Sequence, residues 1–175
     1  MGAIHISSEL ISRLSTSRAK LVFGPRTGAR VGNMKIPTNL PPAINLVNSR
    51  VLRVETLPPN LSLEIDPLGQ ANRYIETINV DSNAAPYLTL KNGKVIATIE
   101  VTGAIYLGSM LDQEGLRTFY KGLFDEIELD YLLMPAGIRR RCTDSEEFWF
   151  NYNDRTTQTK NGYMKPAEVK RLPLI

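Results

Sequence analysis

The chain has one cysteine, one histidine and one tryptophan in 175 residues. The lone Cys142 excludes an internal disulfide, and Cys142 with His5 alone cannot build a Cys/His zinc site. The same shortage removes a hydrolase triad and a thiol nucleophile, because each needs a base beside the nucleophile and His5 is the only imidazole. No stretch has the roughly 18 to 20 apolar residues that a membrane-spanning helix needs, and the first residues lack the continuous apolar run of a secretory signal. A net charge of +3 is too small to mark the whole chain as a nucleic-acid binder or a disordered tail. The glycine-rich stretch Gly24 to Asn33 contains no acid but lacks the Gly-Lys-Ser/Thr ending of a phosphate-binding loop, so it reads as a connector.

What is present is unevenly distributed. Residues 1–50 hold seven basic residues against the single acid Glu9, residues 51–134 carry a net charge of −6, and residues 135–175 a net charge of +3. Such polarity suits contact between neighbouring copies, and a basic segment is drawn to phosphate on nucleic acid or lipid. Residues 1–48 read as an extended basic N-terminal arm stiffened by Pro37, Pro41 and Pro42. Within it Ser7 and Ser8 cap a short amphipathic helix over about 8–20, with Leu10, Ile11 and Leu14 at helical spacing.

Residues 49–175 read as a single β-rich domain. Leu61, Leu63 and Ile65 alternate with Ser62, Glu64 and Asp66, and a second alternation runs from Tyr74 to Val80. Asn92-Gly93 between Tyr87–Lys91 and Lys94–Val101 predicts a hairpin of type I′. One segment departs from this texture: Leu116, Phe119, Tyr120, Leu123, Phe124, Ile127 and Tyr131 fall at helical spacing, which predicts one long packed helix over about 112–133. Gly115 and Gly122 inside it imply close packing at those points or some local mobility. The fold expected is therefore mainly β (α+β), an antiparallel sandwich or barrel of short strands with one long helix and the basic arm.

The acids Glu64 and Asp66, and Asp125, Glu126, Glu128 and Asp130, lie on solvent-facing sides, so no catalytic residue, metal site or cofactor is expected. The candidate polyanion-binding residues are Arg13, Arg18, Lys20, Arg26, Arg30 and Lys35 of the arm. Arg139, Arg140 and Arg141, placed just after the helix, form a second group. Phe148, Trp149 and Phe150 read as core rather than base-stacking aromatics. The function these features imply is a non-enzymatic, self-associating structural protein, in its most concrete form a small viral coat or matrix protein. Its partners would be itself and RNA or an anionic membrane, with no small-molecule substrate, and its location the virion or host cytoplasm. A cellular RNA-binding module and an acid-dependent nuclease are the alternatives.

Overall fold

The computed structural model describes residues 4–39 and 41–174. By internal contacts the chain divides into two compact units, one ending at Ile127 and one beginning at Glu128. The architecture is mainly β with few helices, consistent with a β-sandwich, and no closed barrel is found among the described residues.

The first unit contains α1 (Ser8–Ser15), β1 (Val22–Phe23), β2 (Arg50–Thr56), β3 (Ser62–Asp66), β4 (Gln70–Asn79), β5 (Ala84–Leu90), β6 (Val95–Glu100), β7 (Ile105–Leu107), β8 (Ser109–Leu111) and α2 (Gln113–Glu126). The sheet runs β1-β7-β6-β5-β3-β4-β2, with β8 added to β4; β1 joins β7 in parallel and the other neighbours are antiparallel. Between β7 and β8 only Gly108 intervenes, and there the chain switches its partner from β6 to β4. Gly108 donates its N–H to Ile96 and accepts from the Glu76 N–H, and a Cβ at this position would lie 3.0 Å from that of Glu76. A side chain there would press on Glu76 and Ile78, which would have to give by a few tenths of an ångström.

The alternation over β3 buries Ile65 while Glu64 and Asp66 stay outside. The β5–β6 hairpin forms, but only Gly93 takes a left-handed φ, of 85°. Its N–H donates to Leu90 at 2.8 Å, so the connection is a wider turn ending in one left-handed residue rather than type I′.

Asp112 caps α2 by accepting from the Gly115 N–H at 2.7 Å, and the same oxygen accepts from the Gln70 N–H. The two helix glycines have separate reasons. A Cβ on Gly69 would sit 2.4 Å from the Gly115 Cα, and a Cβ on Gly122 would meet the Tyr87 hydroxyl at 3.2 Å. Phe119 and Leu123 are buried in a cluster with Ile65, Ile75, Leu90, Ile96 and Ile105. The helix stops at Glu126, well before the expected residue 133, and Glu128 turns left-handed at φ 52°. Ile127, expected in the core from its helical spacing, is 42% exposed as a result.

A second cluster of this unit joins Phe23, Ile44, Val47, Val51, Ile78, Ala104 and Tyr106. Three of these side chains come from the segment expected as an arm.

The second unit contains β9 (Ile138–Cys142), β10 (Glu146–Asn151), β11 (Thr157–Thr159), β12 (Gly162–Met164) and β13 (Val169–Pro173). Its antiparallel sheet has the order β13-β10-β9, and β11 pairs with β12. Ile138, Trp149 and Met164 form its core.

Candidate functional site: two buried glutamates holding a long loop

Between β1 and β2 the chain runs through residues 24–49, where the described residues hold a short 3-10 turn at Gly32–Met34 and an isolated bridge between Val31 and Lys35. Connections longer than about 12 to 15 residues without regular structure are uncommon in compact domains, and are usually functional or disordered. The ends of this one are held from the sheet. The Arg26 backbone N–H donates to Oε1 of Glu76 on β4 at 3.2 Å, and the Asn48 N–H donates to Oε2 of Glu100 on β6 at 2.9 Å. Inside the loop the Ala43 N–H donates to the Gly28 carbonyl at 2.8 Å. Gly28 is left-handed at φ 67°, and a Cβ there would lie 2.6 Å from the Ile44 side chain, so both backbone and space call for glycine. The Arg50 guanidinium donates to the carbonyls of Val47 and Ser49, finishing the loop against β2.

Glu76 is only 3% exposed. Besides Arg26 it accepts the Tyr74 hydroxyl on Oε1 at 2.6 Å and the Tyr106 hydroxyl on Oε2 at 2.7 Å. Burial pushes its carboxyl above the ordinary glutamate value, while the two phenols and Arg26 pull in the opposite direction. Burial also raises both phenols, and the neighbouring carboxylate adds to it. Glu100, equally buried, accepts the Thr98 hydroxyl on its other oxygen. With both oxygens of each carboxylate occupied, these groups act as anchors for backbone N–H donors that would otherwise be buried unpaired.

A cavity of about 560 Å³ opens beside the start of the loop, lined by Gly24, Pro25, Asn72, Arg73, Ser109 and Tyr120 among others, and no acid lines it. The acids Glu64, Asp112 and Glu114 do line a smaller cleft of about 270 Å³. There Asp112 is engaged as the α2 cap, and Glu64 pairs with Lys91, which holds the Glu64 carboxyl below its usual range. A general acid needs the opposite shift. Among the described residues no group of three or more His, Cys, Asp or Glu could hold a metal ion.

The cations singled out from the sequence fall in different settings. Arg13, Arg18 and Lys35 are exposed, and Arg26 and Arg30 are half-buried in the loop, where the Arg30 N–H donates to the Ile4 carbonyl. Lys20 is paired with Glu126 at 2.6 Å. Arg139, Arg140 and Arg141 stand on β9 rather than at a helix end, and Arg140 is paired with Glu147. Sequence reasoning missed Glu76 and Glu100, although each shares its side of a strand with apolar or buried residues, Ile78 for Glu76 and Ile96 for Glu100. An acid on an inward-facing row was the available signal.

No protein-family model matches the chain. It is 29% identical over 157 residues to a β-galactosidase, BgaA, of a Thermus species, covering 87% of this chain and 24% of the relative. Its structure resembles that of a β-galactosidase from the psychrophilic Marinomonas ef1 with a TM-score of 0.84 and 26% identity, over 98% of this chain and 28% of the neighbour. A β-galactosidase of Thermus thermophilus is likewise 29% identical, over 162 residues. A β-galactosidase from the Antarctic haloarchaeon Halorubrum lacusprofundi has the same fold over 98% of this chain and 30% of its own, with a TM-score of 0.83 at 20% identity. The chain thus spans about a quarter of the curated relative it matches.

These likenesses overturn the viral coat or matrix reading and the RNA-binding alternative, and with them the expectation of a non-enzymatic protein. They also remove the ground for excluding a small-molecule substrate, since β-galactosidases act on sugars. The virion location rested on the coat reading and loses its basis with it. Among the described residues no helix is long and apolar enough to cross a membrane.

Proposed function

We propose that this chain is part of a larger glycoside hydrolase acting on β-galactosides. The observation that carries this reading is the likeness to a β-galactosidase along 98% of the chain, at 26% identity and a TM-score of 0.84. A glycosidase flanks the scissile bond with two carboxyl groups, one protonated to release the leaving group. The buried carboxylates described here are engaged otherwise, Glu76 and Glu100 by the loop. In the proposed enzyme the acid and the nucleophile act from the part outside the matched segment. This segment supplies supporting structure, with the clipped loop over residues 24–49 as its most elaborately built surface.

The test is a chimaera in which this chain replaces the matched segment of the Marinomonas β-galactosidase, assayed on a nitrophenyl β-galactoside beside a deletion lacking the segment. Hydrolysis by the chimaera and its loss in the deletion support the reading. A folded chimaera of native size without hydrolysis overturns it.

A further inference from the structure

The two faces of β10 differ sharply. Glu147, Trp149 and Asn151 are buried, while Phe148 and Phe150 alternate with them on the outer face and remain half-exposed. Tyr152 follows two residues on, is 73% exposed, and holds its ring 6.1 Å from that of Phe150 at an interplanar angle of 19°. Three aromatic rings therefore form a row at strand spacing, the last two nearly parallel.

In register beside Phe150 stand Arg139 on β9 and Val169 on β13, and beside Phe148 stand Arg141 and Arg171. Arg171 is already paired with Glu146 and reaches over the Phe148 ring. Where the row ends, a cleft of about 240 Å³ opens, lined by Phe150, Tyr152, Asn153, Ala167, Glu168 and Val169 among others. It is smaller than the roughly 300 Å³ at which sites for drug-sized ligands begin. Glu168 at its edge accepts the Lys165 N–H through Oε2.

We infer that this cleft binds a single galactopyranoside ring. The exposed Tyr152 ring, stacked on Phe150, offers an electron-rich face to polarised C–H groups, and the Glu168 carboxylate in the lining accepts from hydroxyls, the mixed lining that sugar recognition requires. Galactose suits it in particular. Its axial C4 hydroxyl leaves the hydrogens on C3, C4 and C5 together on one face, whereas the equatorial hydroxyl of glucose breaks up that patch. The choice of galactose rests on the glycosidase reading above, while the platform itself stands on the geometry of the second unit. The residues that build it are Phe150, Tyr152, Glu168 and Val169.

Saturation-transfer NMR on the full chain, with methyl β-D-galactopyranoside and methyl β-D-glucopyranoside as probes, tests this directly. The galactoside should receive saturation most strongly at H3, H4 and H5, and the glucoside at least several-fold less. Tyr152→Ala should weaken galactoside binding about tenfold and Glu168→Gln should weaken it measurably. Tyr163→Ala, an exposed tyrosine on β12, should leave it unchanged, with Trp149 fluorescence reporting an intact fold in every variant. Absence of transfer to either sugar, equal transfer to both, or undiminished transfer in Tyr152→Ala overturns the proposal. No hydrolysis is read, so failure here beside a hydrolysing chimaera sinks the platform alone.

Discussion

The two ends of the loop over residues 24–49 are fixed by the same device in different surroundings. At Asn48 the Glu100 carboxylate serves one backbone N–H and one threonine hydroxyl. At Arg26 the Glu76 carboxylate serves one backbone N–H and two tyrosine hydroxyls, and Arg26 itself is held left-handed at φ 66°. A non-glycine residue in that region costs of order 1 to 3 kcal/mol and persists only where its surroundings fix it. The richer network thus sits at the strained end, and the plainer one at the end where Val47 is already buried and Arg50 binds neighbouring carbonyls. Removing either carboxylate leaves buried donors unpaired, but the number orphaned differs, and stability measurements should rank the two ends accordingly.

The largest effect is expected for Glu76→Ala, which strands two phenols and the Arg26 N–H and should cost about 3 to 5 kcal/mol in urea unfolding. Glu100→Ala strands one N–H and one hydroxyl and should cost about 1 to 3 kcal/mol. If the order were reversed, the strained end would not be the one that depends on its carboxylate. Tyr106→Phe should cost less than Glu76→Ala, about 1 to 2 kcal/mol, because it removes a single hydrogen bond to Glu76 Oε2.

The same comparison extends to pH. Because burial raises the Glu76 carboxyl in the folded protein, its contribution is complete below the ordinary glutamate value of 4.5. As pH rises from there through the raised value, the unfolded chain has released a proton that the native state still holds, so stability falls. Glu76→Gln should flatten that decline, and an equal decline in the variant would assign the effect to another group. The smallest change is expected at the helix end: Ile127→Ala should stay within about 0.5 kcal/mol, as exposed substitutions do, whereas Phe119→Ala should cost about 3 to 5 kcal/mol.

Much of the secondary structure was legible because its causes are local. The alternation from Leu61 to Asp66 and the place of the Asn92-Gly93 turn, though not its type, each depend on causes within a few residues. The end of α2 was not legible, since the apolar spacing continues to Tyr131 while the chain turns aside at Glu128. The loop was less legible still. Its glycines and prolines read as a connector, but its order comes from Glu76, which is 50 positions from Arg26, and from Glu100, which is 52 positions from Asn48. Periodicity within one strand can mark an inward acid without showing which distant donor it meets. The arginines of β9 read as one run in the sequence, whereas a strand sends Arg140 to the side of Trp149 and Arg139 and Arg141 to the side of Phe150 and Phe148.

The loop is fastened at both ends from the sheet, at Arg26 by Glu76 and at Asn48 by Glu100. Amide hydrogen exchange at Arg26 and Asn48 tests it most directly. Both N–H groups should exchange as slowly as the amides of β4 and β6, and Glu76→Ala should release Arg26 while leaving Asn48 protected. Exchange of both amides at the rate of an open loop in the unaltered chain would contradict the account.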